Sequence, residues 1–152
     1  MRPVLIEERL LADLTRMAET ALPFETGGVL VGVKTRGSIW IVGVAELGQS
    51  SPGHYIVPKG ATHPAVQRAR ESIDARVGYA GDWHSHTGDD GPSATDRAAM
   101  RAISWFAAGP GLGGPCLVLV RCTSAGPVVD AFRSRFLQLR AVPLLPTGPF
   151  VP

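Results

Sequence analysis

Segments whose apolar residues recur at helical spacing alternate along this chain with short β-branched runs, and that alternation confines it to the α/β class. Leu10, Leu11, Leu14, Met17, Ala18 and Ala21 fall on one face of a helix expected over about 7–21, which Pro23 ends. A second helix is expected over about 62–76, with Pro64 tolerated in its first turn. A third is expected over 94–107, its buried stripe formed by Ala98, Ala99, Ala102, Ile103 and Phe106. Strand-like runs fill the gaps at 29–33, 38–44, 55–57, 79–86, 116–121 and 128–132. The first two should pair as a hairpin through a turn near Arg36 and Gly37.

The 152 residues are enough for one continuous core, and 45% hydrophobic residues argue against disorder. Glycine and proline (18 and 13) punctuate the chain with loops, at 49–53, 87–92 and 109–115. The domain is expected over 1–142, followed by a proline-studded tail, 143–152, either loose or hugging the surface. Fifteen basic and thirteen acidic residues leave a net charge of +2 with no clustered patch, so neither nucleic acid nor a membrane surface is an expected partner. No stretch of eighteen apolar residues could span a bilayer, and Glu7 and Glu8 come too early for a signal peptide. Cys116 and Cys122 would stand roughly 20 Å apart on one strand, beyond disulfide reach. They read as reduced thiols of a cytoplasmic protein.

The chemistry concentrates around His84-Ser85-His86. On a strand, residues two apart point the same way, so both imidazoles can converge on one metal ion. Asp96, ten positions beyond His86 in the first turn of the third helix, could return beside them. Three such ligands leave a fourth position for water, the arrangement of catalytic zinc sites. Each element also has a plainer reading. The histidines could be packing or surface residues, Ser93 could simply cap the helix with Asp96 as its capping-box acid, and Glu25 could be a solvated loop carboxylate. His54 and His63 lie in or beside loops and read as exposed, and Trp40, Trp83 and Trp105 as core. Gly109 to Gly114 fits G-x-G-x-x-G literally, but it follows a helix and precedes a strand, the reverse of a dinucleotide loop. There is no H-E-x-x-H, and no H-x-E with P-C-x-x-C.

Taken together, His84-Ser85-His86, Ser93 and Asp96 resemble the JAMM motif of the MPN (Mov34/PAD-1) metalloprotease family. Upstream, Glu25-Thr26-Gly27-Gly28-Val29-Leu30-Val31-Gly32 resembles the run that carries the family's catalytic Glu. Thr87 stands where family members commonly have Pro, and the loop 87–92 is one residue shorter than the family pattern. The resemblance is closest to the compact prokaryotic branch. It implies a single-domain α/β fold, MPN-like (cytidine-deaminase-like), with a mixed β-sheet flanked by helices. It also implies a Zn2+ ion held by His84, His86 and Asp96, Glu25 as the proton-transfer group, and Ser93 as oxyanion donor. Ser85, pointing to the opposite face, is expected to pack. The activity implied is hydrolysis of a peptide or isopeptide bond in a ubiquitin-like or sulfur-carrier protein, with an E1-like activating enzyme as a further partner. The competing reading is a non-catalytic MPN scaffold.

Overall fold

The computed structural model describes residues 1–36, 38–49, 55, 57–107, 114–135 and 138–152. In chain order these form β1 (Val4–Glu7), α1 (Glu8–Ala21), β2 (Thr26–Lys34), β3 (Ile39–Gln49), α2 (Thr62–Ser72), β4 (Gly78–His86), α3 (Ala94–Ala107), β5 (Cys116–Thr123), β6 (Gly126–Arg135), β7 (Gln138–Val142) and β8 (Leu144–Thr147). The strands make one eight-stranded sheet in the order β7-β6-β5-β4-β2-β3-β1-β8. It is mixed: β4 runs parallel to β5, β1 runs parallel to β3 and β8, and the remaining pairs are antiparallel. The expected mixed α/β architecture is therefore the one found.

Strand alternation assigns the two faces. Leu30, Ile41, Trp83, Val118 and Val120 pack with Leu10, Leu14 and Ala18, so α1 covers one face. Val31, Val42 and Val77 pack with Val66, placing α2 on the other. On β4, Trp83 belongs to the α1 side, so Asp82, His84 and His86 point to the α2 side. The chemistry of the chain is thereby separated from its larger core.

Several expectations need correcting. The second helix stops at Ser72, not Arg76; Arg76 instead pairs with Asp74 in the following turn. Ala98, Ala99 and Ala102 are exposed; among the described side chains of α3 the buried one is Met100, with Ile103 half-buried. Alanines gave that stripe its apolar count, but apolar count does not decide which face of a helix is buried. Tyr55 and Val57 belong to no strand. Ile56, His54, the side chains of Trp105 and Phe106, Gly37 of the hairpin turn, residues 50–53 and residues 109–113 of the glycine-rich loop lie outside the described residues. Residues 144–147 of the proline-studded tail form β8 beside β1, and Phe150 packs edge-on against Trp40 at 5.2 Å. Both cysteines are free thiols.

Candidate metal centre

The site is assembled where β2 and β4 run side by side. Gly27 pairs with His84, and a Cβ on Gly27 would lie 2.4 Å from the Trp83 carbonyl and 2.8 Å from His84 Cβ. On its other flank, a Cβ at Gly28 would lie 1.8 Å from the Ala45 carbonyl. The two glycines directly follow Thr26. They lie inside β2, and what they permit is the squeeze of that strand between β3 and β4.

Glu25 immediately precedes β2 and is buried at 7% exposure, lining the same cavity as His86 and Asp96. Its neighbour fixes its position. The Thr26 N–H donates to Ser85 Oγ at 2.9 Å, and the Thr26 hydroxyl lies 2.8 Å from Glu46 Oε1. Ser85, expected only to pack, ties the start of β2 to the histidine strand from the opposite face.

His84 and His86 are both buried, with their Nε2 atoms 3.2 Å apart. Asp96 reaches them from the first turn of α3, its Oδ1 3.2 Å from His84 Nε2 and its Oδ2 3.4 Å from His86 Nε2. The shortened loop 87–92 thus still delivers the carboxylate to the histidines. Tetrahedral zinc with bonds of 2.0–2.1 Å would separate its ligand atoms by roughly 3.3 Å; one donor atom from each of the three residues lies within 4.8 Å of the others, close enough to gather around one ion. The hydrogen bonding agrees. His86 Nδ1 lies 2.9 Å from the Asp90 carbonyl, which can only accept, so the proton sits on Nδ1 and the Nε2 lone pair faces the cluster. In neutral His86 that lone pair faces His84 Nε2 at 3.2 Å, a contact that favours a cation or proton in the cluster.

Electrostatics in the metal-free protein point the same way. The hydrogen bond with Asp96 raises the His86 pKa against the opposing effect of burial, and the Asp90 carbonyl adds to the rise. Burial works against ionisation of Asp96, but hydrogen bonds with His84 and His86 outweigh it and hold the carboxyl well below its usual range. Ser93 is exposed at the rim of the cavity. Its N–H donates to Asp96 Oδ2 at 2.6 Å, and its hydroxyl accepts the Asp96 N–H at 3.1 Å. This is the reciprocal capping box, and it leaves the hydroxyl proton of Ser93 available to the cavity.

A family model described as prokaryotic homologues of the JAB domain matches residues 7–135. The chain belongs to that family. Among solved structures, this JAB homologue is similar to a Desulfitobacterium hafniense protein, with 21% identity and a TM-score of 0.73 over 95% of this chain and 93% of that one. It is also similar to a Salinibacter ruber protein, with 18% identity and a TM-score of 0.63 over 100% and 95% of the two chains. At such identities the likeness is one of fold. No curated protein matches the chain. Among the described residues, no helix is long and apolar enough to cross a membrane.

Two groups beside the centre carry no motif and escaped the sequence reading. Tyr55 stacks on His84 with ring centroids 6.4 Å apart, and Asp82 accepts the Tyr79 hydroxyl at 2.9 Å. Burial pushes the Asp82 carboxyl up, with the Tyr79 hydrogen bond and His84 working against that rise. Asp82 could have been found, since it precedes His84 by two on the same strand face. Tyr55 had no such signal.

Proposed function

We propose that this JAB homologue is a zinc-dependent peptidase or isopeptidase, and the observation that carries the reading is the convergence of His84, His86 and Asp96 at 3.2–3.4 Å. Bound to these three side chains, Zn2+ would supply Lewis acidity and a water acidified towards neutral pH. Glu25, buried against the cavity, accepts the proton of the attacking water and returns it to the leaving amine. The Ser93 hydroxyl, with its proton free, donates to the oxyanion that develops on the scissile carbonyl. The capping box fixes Ser93 relative to Asp96, so the oxyanion donor and the metal ligand move as one unit. The cavity that Glu25, His86, Ser93 and Asp96 line has a volume of about 700 Å³, room for an extended segment of chain.

The family resemblance supports a ubiquitin-like or sulfur-carrier protein as the substrate, with an E1-like activating enzyme as a second partner. Two reduced thiols support a cytoplasmic setting. A non-catalytic scaffold would have no need of a complete ligand set, and retention of all three ligands together with a buried Glu25 favours the enzyme. Purified protein is expected to carry about one zinc per chain, as a single three-ligand site requires. Glu25→Gln should keep the zinc and lose about 10²–10⁴-fold in hydrolysis, while His86→Ala should lose both. Metal analysis and cleavage of C-terminally extended ubiquitin-like proteins from the same genome test this. Full activity of Glu25→Gln would refute the proton-transfer role.

A further inference from the structure

A second cavity of about 190 Å³ lies on the far side of His84, between α3 and the sheet. Met100 and Ile103 on the helix, Leu117 on β5 and Val57 give it apolar walls. Two polar groups break that lining. The Tyr55 hydroxyl is buried with no hydrogen-bond partner among the described residues. The Asp82 carboxylate accepts one hydrogen bond, from Tyr79, and no lysine or arginine among the described residues pairs with it. Tyr55, Thr95 and Asp96 line this cavity and the metal cavity alike, so the two are neighbours across a shared wall.

We propose that this cavity is a side-chain subsite for a basic residue of the substrate, lysine or arginine, next to the bond that is cut. The proposal rests on the hydrolase reading above and names what that hydrolase selects. A basic side chain matches each feature of the pocket. Its methylene stem lies against Met100, Ile103 and Leu117, and its cationic head donates to Asp82 and to the Tyr55 oxygen. An aliphatic side chain of the same length would fill the volume but leave both polar groups facing carbon, and that desolvation is costly. An acidic side chain would meet Asp82 and Asp96 as like charges. The sizes also agree, since a cavity of this volume holds one long side chain and not a ring system with a second substituent.

The test separates the subsite from the catalysis. Binding of n-butylguanidinium and of its neutral near-isostere n-butylurea to the zinc-loaded full chain is followed through the Met100 methyl resonance. The guanidinium should bind at least tenfold more tightly than the urea. Asp82→Asn should abolish that advantage while leaving urea binding unchanged, and Tyr55→Phe should weaken both ligands without reversing their order. Equal affinity of the two ligands for the unaltered protein, or no response at Met100, overturns the subsite whether or not the variants fold. A peptide series that varies one residue beside the scissile bond through Lys, Arg, Met, Leu and Glu reads the catalytic side. Cleavage with no preference for the basic members overturns the proposal and leaves the hydrolase standing. Selective guanidinium binding with no peptide cut supports the subsite and counts against the hydrolase.

Discussion

Ser85 shows how a single hydroxyl on the wrong face of a strand can serve a site. Its Oγ accepts the Thr26 N–H, and Thr26 directly follows Glu25, so the hydroxyl sets where the carboxylate proposed for proton transfer begins. Ser85→Ala would leave that N–H buried without an acceptor. It should cost about 1–3 kcal/mol of stability and lower activity through displacement of Glu25, with zinc content unchanged. Denaturation, metal analysis and kinetics on one preparation check the three parts; loss of zinc would show that Ser85 holds the ligands instead. The cysteines differ in an equally measurable way. Burial pushes the Cys116 thiol up to about 12, and burial followed by the charge of Glu19 raises that of half-buried Cys122. A disulfide reagent at pH 8 should modify Cys122 slowly and Cys116 only on unfolding. Because the folded pKa of Cys116 exceeds that of the open chain, its contribution to stability is present at neutral pH. It declines as pH climbs from roughly 8.5. Two thiols reacting quickly in the folded protein would contradict the burial.

Among the elements, the edge strand β8 makes the sharpest expectation, because composition argued against it. Pro143, Pro146 and Pro149 describe a segment that should not pair, yet an edge strand offers positions where a missing N–H costs nothing. Thr147 Oγ1 accepts the Trp40 indole N–H at 3.0 Å, and Phe150 N–H donates to buried Glu7 at 3.0 Å. Truncation after Val142 should therefore lower the melting temperature by several degrees and expose the β1 edge to association, visible by light scattering. An unchanged melting temperature would make 143–152 a dispensable tail. β8 and α3 mark the limits of what periodicity reveals. Helix α1 was legible in the helical spacing of its apolar residues, α2 in its start signals, and strands β2 to β6 in their apolar or β-branched runs. The four residues of β1 and of β8 are too short to show one. Ala98, Ala99 and Ala102 signalled a buried stripe but are exposed, and Met100, outside that stripe, is buried. The cluster able to hold a metal was legible through spacing, since His84 and His86 share a strand face and Asp96 sits one turn into a helix. Tyr55 was not, because what makes it matter is a ring stacked on a histidine 29 positions away.

On the scale of the whole molecule, a metal ion bound as proposed would compete with protons for one cluster, and the two forms of the protein should respond to pH in opposite senses. Without metal, the hydrogen bond to Asp96 raises His86 above its ordinary value. That contribution is complete below roughly pH 6.5 and is lost as pH rises through the folded value. Asp96, held low against the opposing pull of burial, contributes above roughly pH 3.9 and loses its share as acid protonates it. The metal-free protein should thus gain from this cluster most between those limits and weaken towards pH 8. Zinc reverses the trend, because binding needs both imidazoles neutral and releases protons, so its affinity grows with pH over the same interval. At a hundredfold excess over its dissociation constant, zinc adds about 2.7 kcal/mol, or roughly 5–10 °C for a domain of this size. Melting curves between pH 6 and 8, with zinc and with a chelator, should diverge as pH rises, and His86→Ala should merge them. Curves that stay parallel would mean that the ion is held by groups other than this cluster.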